Sequence, residues 1–157
     1  MIRLRGFKEL TPIEKALKLF FDAVKPRKLE SELVPVQEAY GRITAKDIIA
    51  SRDLPPFNRS AVDGYAVRAE DTFEASPFQP KILKITEGKE VRQGEAKLIW
   101  TGNPLPRGSN AVIMIEHTKK LSENEIAVLR AVAKWQNVSM KGEDVKAGEV
   151  AIKAGVR

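Results

Sequence analysis

The chain has 157 residues, no cysteine, a single histidine and a formal net charge of +6. That length can bury a core, and a hydrophobic content of 43% is typical of a globular protein. The absence of cysteine excludes disulfides, thiolate zinc sites and cysteine nucleophiles, and one histidine disfavours a histidine-rich metal site or a Ser-His-Asp triad. Any chemistry must therefore come from carboxylates, hydroxyls, backbone amides, lysine and arginine.

No segment of the sequence has the character of a membrane span. The longest unbroken apolar run covers the five residues 111–115, whereas a transmembrane helix needs about 20 apolar residues. The first residues also lack the long apolar stretch and the small-residue cleavage site of a signal peptide. We therefore expect a cytoplasmic protein without membrane partners.

The positive charge is spread thinly along the chain. Residues 1–50 carry 10 basic and 7 acidic side chains, residues 51–100 carry 8 of each, and residues 101–157 carry 9 and 6. A nucleic-acid-binding barrel would need a basic stripe with interleaved aromatic residues, which this distribution lacks. We therefore expect no nucleic-acid partner. Salt-dependent binding to random oligonucleotides would instead support a nucleic-acid-binding barrel.

The N-terminal part of the sequence predicts two helices. Thr11-Pro12-Ile13-Glu14 matches a capping box with proline in the first turn, and Pro26 marks the end of the segment. Apolar residues at positions 13, 16, 17, 20, 21 and 24 form a stripe that should bury against another surface. A second, short helix is predicted over residues 35–40, closed by Gly41.

From Ile43 onward the pattern predicts short strands separated by glycine and proline turns. The predicted strands cover residues 43–50, 64–67, 81–86, 96–101, 111–116, 126–130 and 137–140. No helical pattern falls between them, which disfavours a doubly wound parallel sheet. The sequence therefore predicts an α+β, mostly β fold, in which short N-terminal helices precede a small β-barrel-like domain.

Three loop segments carry polar residues that are suited to a binding site. In residues 54–68, Asp63 precedes Gly64 at a loop-to-strand junction, where a carboxylate can hold Mg²⁺ or a water. After the strand predicted at 96–101, Thr101 offers a hydroxyl to an anion and Gly102 lets the backbone approach a ligand. Residues 141–144 place two carboxylates after a glycine. Taken singly, each segment is explained better as an ordinary turn.

Together the three segments resemble the N-terminal region of the molybdopterin molybdenumtransferase family, to which MoeA and the E domain of gephyrin belong. The first block, Pro-Phe-x-x-Ser-Ala-x-Asp-Gly-Tyr-Ala-Val-Arg, spans residues 56–68. The second, Thr-Gly-x-Pro-x-Pro-x-Gly-x-x-Ala-Val-x-Met-x-Glu, spans residues 101–116. The third, Gln-Asn-Val followed by Gly-Glu-Asp-x-x-x-Gly, lies within residues 136–148. The resemblance extends over nearly the whole chain.

The resemblance implies an activity and a set of site residues. Members of the family insert molybdenum from molybdate into adenylylated molybdopterin and release AMP, with Mg²⁺ as cofactor. The implied catalytic residues are Asp63, Thr101 and Asp144, with Asp63 also as the magnesium ligand. The implied substrate- or anion-binding residues are Ser60, Gly102 and Lys141. Where relatives often have further basic residues, this sequence has Ser139 and Met140, so Lys141 is the expected local cation.

The resemblance also implies an elongated, two-lobed homodimer, whose cleft lies between this region and the pterin-binding domain of the other subunit. Residues 1–26 would form a helical segment that packs on that pterin-binding domain. Residues 27–50 and 149–157 would form a discontinuous linker and dimer lobe, and residues 51–148 an inserted β domain with the cleft motifs.

The pterin-binding domain would follow Arg157, so we expect a domain fragment that holds half of a cleft and is inactive alone. The alternative that we consider is a non-catalytic dimerisation or scaffold module of the same fold.

Overall fold

A computed structural model describes residues 11–27 and 29–157, which form one unit up to Arg42 and a second unit from Ile43 to Arg157. The expectation that no signal peptide is present concerns residues 1–10, which lie outside the described residues. Among the described residues, no helix combines the length and the apolar character that crossing a membrane requires.

The first unit contains the helix α1, Ile13–Val24, close to its predicted position. The predicted capping box is wrong, because Pro12 occupies the N-cap position and no side chain caps the helix. Thr11 therefore lies one residue too early for its hydroxyl to take that role. The helix ends where Lys25 adopts a left-handed conformation (φ 44°) and its N–H donates to the carbonyl of Phe21 at 2.9 Å.

The second predicted helix is also wrong, because residues 35–40 contain only a 3₁₀ turn, Val36–Glu38. Pro35 precedes this turn in an extended conformation, and Gly41 reverses the chain at a φ of 78°. The turn contains only three residues between Pro35 and the C-cap at Ala39, which is fewer than one turn of an α-helix.

The second unit is built from short strands. They are β1 (Ile48–Ile49), β2 (Arg59–Ser60), β3 (Gly64–Val67), β4 (Lys81–Ile85), β5 (Glu95–Ile99), β6 (Ala111–Met114), β7 (Thr118–Lys120), β8 (Glu125–Val128), β9 (Val138–Ser139) and β10 (Val150–Ile152). The predicted mostly β class is confirmed. The strand predicted over residues 43–50 is reduced to β1, and β2, β7 and β10 were not predicted.

Six of the strands form the central sheet, in the order β6-β3-β5-β4-β8-β7. All neighbours are antiparallel except β4 and β5. Parallel neighbours usually need a long crossover connection. Here the end of β4 pairs with the start of β5, with Lys84 opposite Glu95 and Ile85 opposite Ala96. Because the overlap is so short, the loop over residues 86–94 suffices and no crossover helix is needed.

The sheet buries side chains on both faces. The main core contains Tyr65, Val67, Ala69, Ala75, Leu83, Ala96, Ala111, Ile113, Ile126, Val128 and Val132. A second cluster contains the buried residues Ala66, Ile99 and Val112, with Val62, Leu105 and Val138 packed against them. Val62, Leu105 and Val138 come from the three motif blocks, so this second cluster holds the motif loops against the sheet.

The segments that flank residues 51–148 pair with each other. Strand β1 is antiparallel to β10, with Ile48 opposite Ile152. The hydroxyl of Thr44 donates to the carbonyl oxygens of Lys153 and Val156 at 2.8 and 3.0 Å. The pairing brings the two ends of the β segment together, while the domain boundaries at residues 26, 50 and 149 stay predictions.

Candidate functional site

Residues 58–61 form a junction at which the three motif blocks meet. Two main-chain hydrogen bonds join Ser60 to the second block: Ser60 N–H donates to Asn103 O at 3.0 Å, and Gly102 N–H donates to Ser60 O at 2.8 Å. A third bond runs from Leu105 N–H to Asn58 O at 2.9 Å. The loop after β5 is therefore attached along its length to the first block.

The third block attaches to the other side of this junction. Strand β2 pairs with β9, which places Arg59 opposite Ser139. Ala61 N–H donates to Asn137 O at 3.0 Å, and Lys141 N–H donates to Asn58 Oδ1 at 2.8 Å. Segments far apart in the sequence thus share one small surface, as a binding site requires.

Asp63 and Thr101, two predicted site residues, are in direct contact. Asp63 Oδ1 accepts the backbone N–H of Thr101 at 2.8 Å and its hydroxyl at 2.7 Å. The two hydrogen bonds, the backbone one foremost, lower the pKa of Asp63 below the usual aspartate value. Asp63 is exposed and is ionised at neutral pH, and its Oδ2 has no hydrogen bond from the described part of the chain.

The contact depends on the registers of β3, β5 and β6. Gly64 lies opposite Ile99 in β5 and opposite Met114 in β6, so Asp63 and Thr101 leave neighbouring strands at the same level. Gly64 is required there, because a Cβ atom would lie 1.9 Å from the carbonyl oxygen of Ile113. The glycine after Asp63 therefore lets the strands approach closely enough to form the site.

Asp144 lies in a loop that is anchored to the residues before the junction. Its N–H donates to Leu54 O at 2.9 Å, and Gly142 N–H donates to Pro55 O at 2.9 Å. The Asp144 carboxylate is exposed. Within the described chain it forms no hydrogen bond with Asp63 or Thr101, so only those two of the three predicted catalytic residues are in contact.

Lys141, the predicted local cation, already faces a carboxylate. Its Nζ lies 3.2 Å from Asp53 Oδ2, and Asp53 Oδ1 accepts the Ala147 N–H at 2.9 Å. The hydrogen bond from Ala147, followed by that from Lys141, lowers the pKa of Asp53. Lys141 is therefore ion-paired within the chain, and its side chain is 59% exposed.

Arg59 is a cation at the junction that the sequence analysis did not select. Its side chain is half-buried and forms no ion pair within residues 11–27 and 29–157. The carboxylate of Glu143 accepts the Ser139 hydroxyl and the Met140 N–H, which lower its pKa, and the charge of Arg59 lowers it further. The signal in the sequence that could have identified Arg59 was a basic residue directly before Ser60 inside the first motif.

Ser60 and Gly102, predicted to bind anions, use their polar groups inside the junction. Ser60 is 1% exposed, and its hydroxyl donates to the carbonyl of Val62. Gly102 is exposed at a φ of 85°, and its N–H is taken by Ser60 O. Both residues shape the loop that presents Thr101, and their contact with a ligand stays a prediction.

Mg²⁺ was predicted at Asp63, and the residues present fit a partly hydrated ion. The described residues contain no group of three or more histidine, cysteine, aspartate or glutamate side chains arranged to hold a metal. Mg²⁺ commonly takes one or two protein carboxylates and completes its shell with waters and substrate phosphates. The exposed, ionised Asp63 with its unused Oδ2 suits that mode of binding.

The chain is similar to known proteins along nearly its whole length. Residues 11–157 match the family model described as the MoeA N-terminal region, domains I and II. A molybdopterin biosynthesis protein of Methanocaldococcus jannaschii is 44% identical over 155 residues, which cover 97% of this chain and 39% of that protein. The molybdopterin molybdenumtransferase of Bacillus subtilis is 36% identical over 139 residues, covering 82% of this chain and 32% of that enzyme.

A solved structure agrees with these matches. The crystal structure of the molybdopterin biosynthesis moeA protein from Pyrococcus horikoshii superposes with a TM-score of 0.79 at 45% identity. The match covers 93% of this chain and 40% of that one, so the chain spans less than half the length of these relatives. The fold, the junction of the three motif blocks and these matches agree: the chain belongs to the MoeA family and corresponds to its N-terminal region.

Proposed function

We propose that residues 43–157 supply one side of the catalytic site of a molybdenumtransferase, which inserts molybdenum from molybdate into adenylylated molybdopterin and releases AMP. The observation that carries the proposal is the contact between Asp63 and Thr101 at the junction of the three motif blocks. The name of the Bacillus subtilis relative supports transfer of molybdenum to molybdopterin, and that of the Methanocaldococcus jannaschii relative supports a part in molybdopterin biosynthesis. The pterin-binding domain of a second subunit would supply the other side.

Thr101 keeps Asp63 ionised and oriented. Its two hydrogen bonds hold Oδ1, which leaves Oδ2 for a metal or for a metal-bound water. Mg²⁺ bound there would neutralise charge on the phosphoanhydride of the substrate. Cleavage of such a bond depends mainly on positioning and charge stabilisation, for which neither histidine nor cysteine is needed. Asp144 would act from the neighbouring loop once substrate fills the cleft.

An oxyanion such as molybdate requires positive charge and hydrogen-bond donors. Lys141 is ion-paired with Asp53, whereas Arg59 forms no ion pair in the described chain. Arg59 lies between β9 and the second motif block, where its charge acts on Glu143 without direct pairing. We therefore assign the main anion-binding role to Arg59, with Lys141 as a secondary cation. This assignment revises the expectation drawn from the sequence.

The reaction is tested by measuring AMP release from adenylylated molybdopterin in the presence of molybdate and Mg²⁺. The assay uses a polypeptide that joins this chain to a pterin-binding domain. We expect Asp63→Asn to lower turnover at least about 100-fold, because the metal-binding charge is lost. Arg59→Gln should raise the KM for molybdate more than Lys141→Gln does. Glu123→Gln, which removes an exposed carboxylate paired only with Lys120 on the surface, is the matched control.

Two results decide against the proposal. Full turnover by the Asp63→Asn variant would favour the scaffold module instead, since that role needs no ionised carboxylate in the cleft. The 157-residue chain alone is expected to release no AMP, and a rate near that of the joined polypeptide would show that a second domain is unnecessary.

The exposed apolar face of α1 suits both the transferase and the scaffold alternative. Leu17, Phe20 and Phe21 are 50%, 57% and 54% exposed, and no residue of α1 is buried. Apolar surface of this kind marks a contact with another surface. We propose that this face packs on a pterin-binding domain or on a second copy of the chain, and that the assembled protein is a homodimer.

A further inference from the structure

A surface cavity of about 710 Å³ lies against β5 and the loop that follows it, and the proposed reaction does not use it. Three basic side chains line it: Lys89, Lys97 and Arg107. Its remaining walls are Leu98 and Ile99 of β5 and the loop residues 103–106. No carboxylate belongs to this lining. The volume lies within the range of about 300–1,000 Å³ that is usual for small-molecule sites.

The three basic side chains have no ion-pair partner in the described part of the chain. Lys97 Nζ donates to the carbonyl oxygen of Gly88 at 2.6 Å and to that of Glu87 at 3.5 Å. These neutral acceptors orient the ammonium group without cancelling its charge. Since an ammonium group has three donors, one remains for a ligand.

Two carboxylates close to these basic residues line a different depression. Glu90 and Glu95 border a hollow of about 330 Å³, to which Lys89 also contributes. Glu90 is the backbone bridge partner of Arg107, but neither Glu90 nor Glu95 belongs to the lining of the larger cavity. An anion entering the larger cavity meets positive charge from β5, from the 86–94 loop and from the 101–108 loop.

The walls of the cavity are joined by main-chain contacts. Val91 N–H donates to Arg107 O at 2.8 Å, which ties the 86–94 loop to the loop after β5. Gly108 permits this approach, because a Cβ atom there would lie 2.2 Å from Val91 O. Leu105 is buried partly against Ala66, Ile99 and Val112, which anchors the loop to the sheet. The backbone that carries Lys97 and Arg107 is thus held in place before any ligand binds.

We propose that this cavity binds a small organic phosphate. A phosphate group that carries two negative charges matches three basic side chains better than a carboxylate with a single charge does. The apolar group of the ligand would lie on Leu98, Pro104 and Leu105. The concave shape and the volume favour a small molecule over a segment of an acidic protein. The proposal depends on the cavity alone and stands or falls independently of the transferase reaction.

Isothermal titration calorimetry of the 157-residue chain with phenyl phosphate tests the proposal. We expect phenyl phosphate to bind at least tenfold more tightly than phenylacetate, which has the ring but one charge, and than inorganic phosphate, which lacks the ring. The double variant Lys89→Gln/Arg107→Gln should weaken binding of phenyl phosphate at least tenfold. Lys97 is left unchanged because it also holds the 86–94 loop.

The matched control is Lys119→Gln/Arg130→Gln, which removes the same charges from exposed positions that line neither cavity. It should bind phenyl phosphate within twofold of the unsubstituted chain, and circular dichroism should show both double variants folded. Equal loss of binding in the control, equal affinity for phenylacetate, or no binding at millimolar phenyl phosphate would overturn the proposal. Tighter binding of an acidic peptide at the same residues would overturn it in favour of a protein partner.

Discussion

The most informative single contact in this chain joins Asp63 to Thr101. Its two hydrogen bonds come from different groups of the same residue, the backbone N–H and the hydroxyl. The backbone bond depends on strand register, whereas the hydroxyl bond depends on the identity of the side chain. These two contributions to the pKa of Asp63 can therefore be separated by substitution.

We expect Thr101→Val to raise the pKa of Asp63 only in part, because the backbone hydrogen bond, its larger cause, remains. Thr101→Ser keeps the hydroxyl and should leave the pKa nearly unchanged. Carboxyl chemical shifts followed by NMR against pH measure both effects. An unchanged pKa in Thr101→Val would show that the hydroxyl does not bond to the carboxylate.

The same contact has a consequence for the dependence of stability on pH. The folded-state pKa of Asp63 lies below its unfolded value, so the contact stabilises the fold at pH values above the unfolded pKa. This stabilisation is lost as the pH falls through the folded pKa. Acid unfolding of Thr101→Val should therefore depend less steeply on pH than that of the unsubstituted chain.

At the scale of elements, the site is a product of how β3 packs between β5 and β6. All four residues of β3 are buried, and Gly64 begins the strand at a point where β6 leaves no room for a Cβ atom. The neighbouring loops are then held by the second apolar cluster, which residues from all three motif blocks help to form. The motif blocks are thus parts of a folded core as well as of a binding site.

Gly64→Ala is expected to lower the free energy of unfolding by about 3 kcal/mol, the upper end of the usual cost of overpacking, since the added Cβ atom collides with backbone that cannot move without separating the strands. Gly94→Ala is the control. No atom lies within 4 Å of its added Cβ, so only its φ of 76° opposes the change, at about 1 kcal/mol. Urea unfolding followed by circular dichroism compares the two variants, and equal destabilisation would contradict the close approach of β6.

At the scale of the whole molecule, α1 exposes six large apolar side chains, and none of its residues is buried. The relatives are more than twice as long as the part of them that this chain matches. An exposed apolar helix face is consistent with a surface that another domain or subunit covers. Substitutions on the apolar face of α1 should therefore change the association of the chain without changing the stability of the 43–157 unit.

The double variant Phe20→Asp/Phe21→Asp is expected to change the free energy of unfolding of the 43–157 unit by less than about 0.5 kcal/mol, because both rings are more than half exposed. Sedimentation velocity should show self-association of the unsubstituted chain and its loss in this variant. Lys15→Asp/Lys18→Asp, which changes exposed residues off the apolar stripe of the same helix, should associate normally. A large loss of stability in the first variant would show that α1 packs within its own chain.

The sequence by itself determined the mostly β class, the position of α1, five of the central strands and the three motif blocks that identify the family. These properties follow from local patterns of apolar, glycine and proline residues, which are present in the sequence and do not depend on tertiary contacts. It did not determine β2, β7 or β10, because two- and three-residue strands are too short to show a recognisable alternation and depend on their partner strands.

Only the tertiary structure decided which polar residues are in contact with one another. Strand register joined Asp63 to Thr101, and the anchored 141–147 loop paired Lys141 with Asp53, whereas Arg59 forms no ion pair in the described chain. The sequence contains these side chains but not the distances between them. Those distances depend on long-range hydrogen bonds and on the packing of a sheet, so they are fixed only by folding.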